Sequence, residues 1–106
     1  MFFYSALRSL LFYFDAEVAH KIIINLLKTY KIKNNISHPF LSCNVFGLNF
    51  TNPVGLAAGF DKNSEVPNNI INLGFGFSEV GTVTPFPQQG NSKPRVFRLK
   101  NEDAII

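Results

Sequence analysis

Asn52-Pro53-Val54-Gly55-Leu56-Ala57-Ala58-Gly59-Phe60-Asp61-Lys62 is the stretch that decides how the rest of the chain reads. It begins apolar and extended, passes through four small residues (Gly55, Ala57, Ala58, Gly59) and ends on the charged pair Asp61-Lys62. Val54, Leu56 and Phe60 leave no polar face, which predicts a strand buried on both sides. Small residues near its carboxyl end allow a flat ligand to approach the backbone, and a lysine just beyond can present an ammonium to it. The same residues also read as a buried strand closing in a glycine turn, with a solvated Asp-Lys pair. Spacing alone does not choose between these readings.

Working outward toward the C-terminus, Ser64 is the expected cap of a helix from Glu65 to about Leu73. Pro67 is tolerated in the first turn, where backbone N–H groups have no intrahelical acceptor, and Gly74 stops the helix. Phe75 to Thr84 reads as a second strand, stopped by Pro85 and Pro87. Strand, helix, strand is a βαβ unit, which predicts parallel strands and a right-handed crossover. The strands end in Ala58-Gly59 and Gly81-Thr82, and ligand sites of parallel α/β folds gather at such carboxyl ends. Pro94 to Leu99 reads as a short alternating strand, Lys100 to Asp103 as a turn, and Ala104 to Ile106 as a return strand.

Toward the N-terminus, Asn44 to Thr51 predicts a tight β-hairpin turning near Gly47, with Val45, Leu48 and Phe50 as its apolar positions. Lys31 to Pro39 is a connector broken by Asn34-Asn35, Ser37 and Pro39. Asp15 is a good N-cap and Glu17 suits the first turn of a helix running to about Tyr30. Ala19, Ile22, Ile23, Leu26, Leu27 and Tyr30 recur at helical spacing on that segment, opposite His20, Lys21, Asn25 and Lys28. Residues 2–14 are nearly all apolar, yet too few to span a bilayer, which takes about 20. They lack the basic start and the cleavage site of a signal peptide. Two helices joined at Asp15 give a hairpin with more apolar surface than it can hide alone, so it packs on the rest of the protein or lies in a membrane interface.

The 106 residues suffice for one small domain, and 46% hydrophobic content with twelve Phe and no Trp excludes a disordered chain. Cys43 is the single cysteine, so no internal disulfide or cysteine-based metal site is expected, and the default compartment is reducing. The net charge of +3 is unevenly placed. Residues 1–40 set Arg8, Lys21, Lys28, Lys31 and Lys33 against Asp15 and Glu17, whereas residues 41–106 balance five cations with five carboxylates. This distribution argues against nucleic-acid binding and suits a basic, aromatic helical end at a membrane surface.

Taken together, Asn52 to Lys62, Gly74-Phe75-Gly76-Phe77, Glu79 to Pro85 and Pro94 to Leu99, with the helical start Asp15-Ala16-Glu17-Val18-Ala19-His20, resemble the dihydroorotate dehydrogenase family. The match is to its membrane-associated, quinone-dependent class and runs over essentially the whole chain. The resemblance implies an α/β fold: an N-terminal helical hairpin, a β-hairpin, and the first two βα units of an incomplete (β/α)8 TIM barrel. It implies a division into residues 1–40, a membrane-associated quinone-tunnel segment, and residues 41–106, the start of an FMN-binding barrel. It also implies oxidation of dihydroorotate to orotate in pyrimidine synthesis, with FMN as cofactor, ubiquinone as acceptor and no metal. The implied location is peripheral, on the cytoplasmic face of the inner cell membrane.

Carried over by position, Ala57, Ala58 and Gly59 line the flavin, Lys62 contacts the flavin edge and the substrate carboxylate, and Thr82 sits against FMN. His20 and Arg98 match residues at the quinone tunnel. A planar ring needs bare backbone beside it, and a cation near the flavin's pyrimidine edge stabilises charge on the reduced form. Plainer readings stand beside these: Lys62 as a solvated loop lysine, His20 as a surface histidine, and Arg98 paired with Glu102 or Asp103. Length departs from the family, since such a barrel takes about 250 residues. The family's serine base, substrate asparagines and flavin-phosphate site have no counterpart in these residues. The chain alone is therefore expected to be inactive: a part of an enzyme that a second chain completes, a remnant of a decayed gene, or a non-enzymatic membrane-surface module.

Overall fold

The computed structural model of the chain describes residues 2–29, 31 and 38–106. The expected connector from Lys31 to Pro39 lies mostly outside the described residues, as do Tyr30 and the side chains of Phe2, Phe3 and Tyr4. The order of elements is α1 (Phe2–Tyr13), α2 (Ala16–Thr29), a 3-10 turn (Pro39–Leu41), β1 (Cys43–Val45), β2 (Leu48–Phe50), β3 (Gly55–Leu56), α3 (Pro67–Asn72), β4 (Phe77–Ser78), β5 (Arg98–Leu99) and β6 (Ala104–Ile105). Two compact units result: a central one, Ile24–Val83, and a split one, Met1–Ile23 with Thr84–Ile106.

In the central unit, β1 and β2 form the expected antiparallel hairpin, with Val45 opposite Leu48. Its turn, Phe46-Gly47, has positive φ at both residues (52° and 80°), the geometry that matches the twist of the flanking strands. β3 and β4 pair in parallel with Leu56 opposite Ser78, and α3 lies between them in sequence. Bonds from Gly76 N–H to Val54 O (2.8 Å) and Glu79 N–H to Leu56 O (2.9 Å) extend the pairing at both ends. Asn52 is buried beside it: its amide donates to Gly74 O and its carbonyl accepts from Val54 N–H, both at 3.0 Å.

The strand expected to be buried on both faces is shorter and more open than its sequence suggests. Val54 is exposed and Leu56 and Phe60 only half-buried, because among the described residues β3 pairs with β4 alone and a two-stranded sheet covers little. The second strand likewise contracts from residues 75–84 to Phe77–Ser78. Ile24, Val66 and Ile70 are the buried centre, with Leu27, Leu56, Phe60 and Phe75 packed around them. Ile24, which the helical stripe left out, is therefore the α2 residue at this centre, while Leu26 is exposed.

The cap of α3 also differs. Ser64 does not cap it; with φ at 56° it sits in the left-handed region, and the cap position falls on Val66, which makes no side-chain cap bond. Asp61, buried to 1% exposure, takes that role: its two oxygens accept from Glu65 N–H (2.7 Å) and Val66 N–H (2.9 Å). The expectation of a solvated Asp61-Lys62 pair is thus half right, since Lys62 is exposed and Asp61 is not.

In the split unit, Asp15 caps α2 as expected, accepting from Glu17 N–H (2.9 Å) and Val18 N–H (3.2 Å). Phe14 and Asp15 form the elbow between α1 and α2, and Leu7, Leu10, Phe12, Tyr13 and Phe14 remain exposed on the α1 side. β5 and β6 make the expected return, Arg98 opposite Ile105, and Phe97 and Ile106 exchange a further pair of backbone bonds.

Candidate functional site

Ala57, Ala58 and Gly59 follow β3 directly and are all exposed. Gly59 has φ of 107°, and nothing lies within 4 Å of where a Cβ would stand, so bare backbone faces open space there. Three residues on, Lys62 and Thr82 line one shallow recess of about 230 Å³ with Asn63, Ser64, Val80, Gly81 and Val83. Gly81 makes this meeting possible. Its N–H donates to Lys62 O at 3.1 Å, and a Cβ at Gly81 would stand 2.4 Å from that oxygen. Only glycine allows the segment after β4 to lie so close to the Lys62 turn. Five residues read from sequence thus fall into two adjoining sets: Lys62 and Thr82 share the recess, and Ala57 to Gly59 precede it without lining it.

His20 and Arg98 belong to the split unit. Arg98 does not pair with Glu102 or Asp103. Its guanidinium donates to the carbonyls of Leu11 (3.1 Å), Phe12 (3.3 Å) and Phe14 (2.6 Å), at and just beyond the end of α1, where carbonyls run out of intrahelical donors. It also lies 4.8 Å from the centre of the Phe12 ring, as does the Arg8 guanidinium. Arg98 lines a recess of about 610 Å³ with Arg8, Phe12, Leu99, Lys100, Asp103, Ala104 and Ile105; His20 is not in that lining.

One residue pair escaped the sequence reading. Glu17 and Arg95, 78 residues apart, form a two-pronged pair: Nη2 reaches Oε1 at 2.9 Å and Nε reaches Oε2 at 3.4 Å. Lys21 and Lys93 each stand 3.5 Å from the same carboxylate. Arg95 further donates through Nη1 to Gln89 O (2.9 Å) and Asn91 O (3.2 Å), which gathers the loop before β5. The hydrogen bond from Arg95 lowers the Glu17 carboxyl from 4.5 to about 2, aided by the charges of Arg95, Lys93 and Lys21 and opposed by partial burial. The same bond raises Arg95 above its ordinary value. Only Glu17's place in the first turn of a helix was visible locally; a partner so distant leaves no local mark.

Among the described residues no helix is long and apolar enough to cross a membrane.

The family model described as dihydroorotate dehydrogenase matches residues 40–106. The chain is 54% identical over 94 residues to the dihydroorotate dehydrogenase (quinone) of Rhodopseudomonas palustris (strain BisB5), covering 88% of this chain and 26% of that protein. With the protein of the same name from Chelativorans sp. (strain BNC1) it shares 52% identity over 101 residues, covering 93% of this chain and 28% of the relative. Among solved structures, the Eimeria tenella enzyme in complex with ferulenol superposes with a TM-score of 0.78 at 52% identity, over 87% of this chain and 25% of that one. The chain thus spans about a quarter of the length of the relatives it matches. It belongs to the dihydroorotate dehydrogenase family.

Proposed function

We propose that these residues form part of a quinone-dependent dihydroorotate dehydrogenase that oxidises dihydroorotate to orotate with FMN and passes the electrons to ubiquinone. The observation that carries this reading is the meeting of Lys62 and Thr82 in one recess beyond the carboxyl ends of two parallel strands, next to the exposed Ala57-Ala58-Gly59. Parallel α/β folds bind ligands at that end of their strands. β3 and β4 then count as the first two strands of a (β/α)8 barrel. Residues 41–106 open its FMN-binding domain and residues 1–40 form the membrane and quinone segment.

The residues present fit a flavin. Open space above Gly59 and the small exposed side chains of Ala57 and Ala58 leave room for a planar ring against the backbone. When bound, FMN supplies the redox chemistry: two electrons and two protons leave dihydroorotate and pass to the quinone, giving orotate and quinol. Lys62 holds a positive charge at the flavin edge and the substrate carboxylate, which favours an anionic substrate and charge on the reduced ring. Thr82 offers a hydroxyl on the facing side of the recess. The base that takes the substrate proton, the flavin-phosphate site and the remaining strands come from polypeptide outside these residues, in the same chain or in a second one. The exposed apolar residues of α1, with Arg8 among them, suit a peripheral seat on the cytoplasmic face of the inner membrane, with His20 and Arg98 toward the quinone.

A chimera tests the reading: residues 1–106 replace the aligned stretch of the full-length Rhodopseudomonas palustris relative. Stoichiometric flavin absorbance and dihydroorotate-dependent quinone reduction are expected. A folded chimera with neither overturns the proposal. In the same protein Ala58→Leu is expected to strip the flavin by steric overlap without unfolding, and retained flavin places the ring elsewhere.

A further inference from the structure

Glu17 and Arg95 each stand three residues ahead of one of the two residues assigned above to the quinone. Glu17 precedes His20 on α2, where positions i and i+3 share a face, and Arg95 precedes Arg98 on the segment entering β5. The two arginines grip opposite sides of the Phe14-Asp15 elbow. Arg98 holds two carbonyls of the last turn of α1, at Leu11 and Phe12, and that of Phe14 in the elbow, and Arg95 holds the first turn of α2 through Glu17. Arg95 is itself fixed to its own loop by the carbonyls of Gln89 and Asn91. The pair therefore ties the helix that carries His20 to the segment that carries Arg98.

We infer that Glu17 is a positioning residue for the quinone-facing pair His20 and Arg98, acting through Arg95. The inference rests on the reading of the preceding subsection. Glu17 touches neither His20 nor Arg98 in any bond described above, and its carboxylate is occupied by Arg95, Lys21 and Lys93. Its effect is to set how far apart the helix and the segment stand, a geometry that a quinone ring bridging the two would sense.

The test uses the chimera with Glu17→Gln, which keeps the side chain's shape and removes its charge. The expected result is a quinone KM raised roughly three- to tenfold, from loss of a charge-assisted fork. The dihydroorotate KM and the rate with a soluble dye acceptor are expected to stay unchanged. Arg95→Lys keeps the charge but loses the two-pronged geometry, and its quinone KM is expected to fall between those of the parent and Glu17→Gln. Should Glu17→Gln fail to hold flavin, Arg95→Lys carries the test by the same split. An active parent chimera whose variants leave the quinone KM unmoved, or change both KM values together, overturns the inference and leaves the proposed function standing. A parent chimera without activity overturns both.

Discussion

The two units of this chain are held together by different physics. The central unit closes on aliphatic side chains, with Ile70, Val66 and Ile24 nearly or wholly out of water, and needs one buried carboxylate, Asp61, to start its helix. Among the described residues the split unit buries only two small side chains of α2, Ala16 and Ala19, and is drawn together by guanidinium groups: Arg95 on Glu17, and Arg98 on three carbonyls and the Phe12 ring. Apolar burial is non-directional and survives salt and acid. Charge-assisted bonds are directional, screened by salt and lost when a partner changes protonation. The central unit should therefore respond to volume, and the split unit to charge.

The largest expected effect falls on the aliphatic centre. Ile70→Ala removes a fully buried side chain and should cost about 2–5 kcal/mol, from lost transfer energy and the cavity left behind. Urea unfolding of the full chain, read by circular dichroism, measures it. A loss below about 1 kcal/mol would mean that Ile70 is not closely packed, and the contrast between the units would fail at its first step.

Next in size is Asp61→Ala. Two backbone N–H groups at the start of α3 lose their acceptor, and that of Val66 is buried. A cost of about 1–3 kcal/mol is expected. Hydrogen exchange at Glu65 and Val66 sharpens the assignment, since the variant should speed these two amides more than those of β1 and β2. Ser64→Ala should leave them unchanged, because Ser64 does not cap the helix.

These two residues show what sequence could and could not deliver. The Asp15 cap was legible because a side chain bonding to N–H groups two and three residues ahead is a local event. The Asp61 cap was not: its acceptors serve N–H groups four and five residues on, and a better-placed serine stood in between. The βαβ order followed from strand, helix, strand, whereas Lys62 and Thr82 were named through the family resemblance, and the close approach at Gly81 that brings their segments together is visible only in three dimensions. Ile24 was passed over because α2 was read along one stripe, whereas Ile24, off that stripe, is the residue that meets Val66 and Ile70. The plainer reading of Arg98 paired it with Glu102 or Asp103 because carboxylates are visible in a sequence, and helix-end carbonyls carry no such sign.

Acid should separate the units. Glu17 holds its carboxyl near 2 against an ordinary value of 4.5, so the folded state binds its proton less readily than the unfolded one. Its contribution is present in full above about pH 4.5 and is lost as pH falls through about 2. Thermal melts of the parent chain and Glu17→Gln should therefore differ at pH 7 and converge near pH 2. A gap that persists at pH 2 would assign the effect to shape rather than charge. Trypsin gives a local readout at neutral pH: cleavage after Arg95 should accelerate in the variant, because the protease must take the guanidinium that Glu17 now holds.

The smallest effect is expected at the ion pair of the central unit, Lys28 with Glu65. Both side chains are more than a third exposed, at 43% and 37%, whereas the Glu17 side chain is at 13%. Arg95, Lys93 and Lys21 all converge on Glu17. An exposed pair is worth about 0–1 kcal/mol, since water competes for both charges and two long side chains must be held still. Lys28→Ala should thus cost less than Glu17→Gln at pH 7, and 1 M salt should shrink both losses, the first almost to nothing. If Lys28→Ala proved the more costly of the two, convergence of cations would not be what strengthens the Glu17 pair, and the split unit would owe its cohesion to the carbonyl bonds of Arg98 instead.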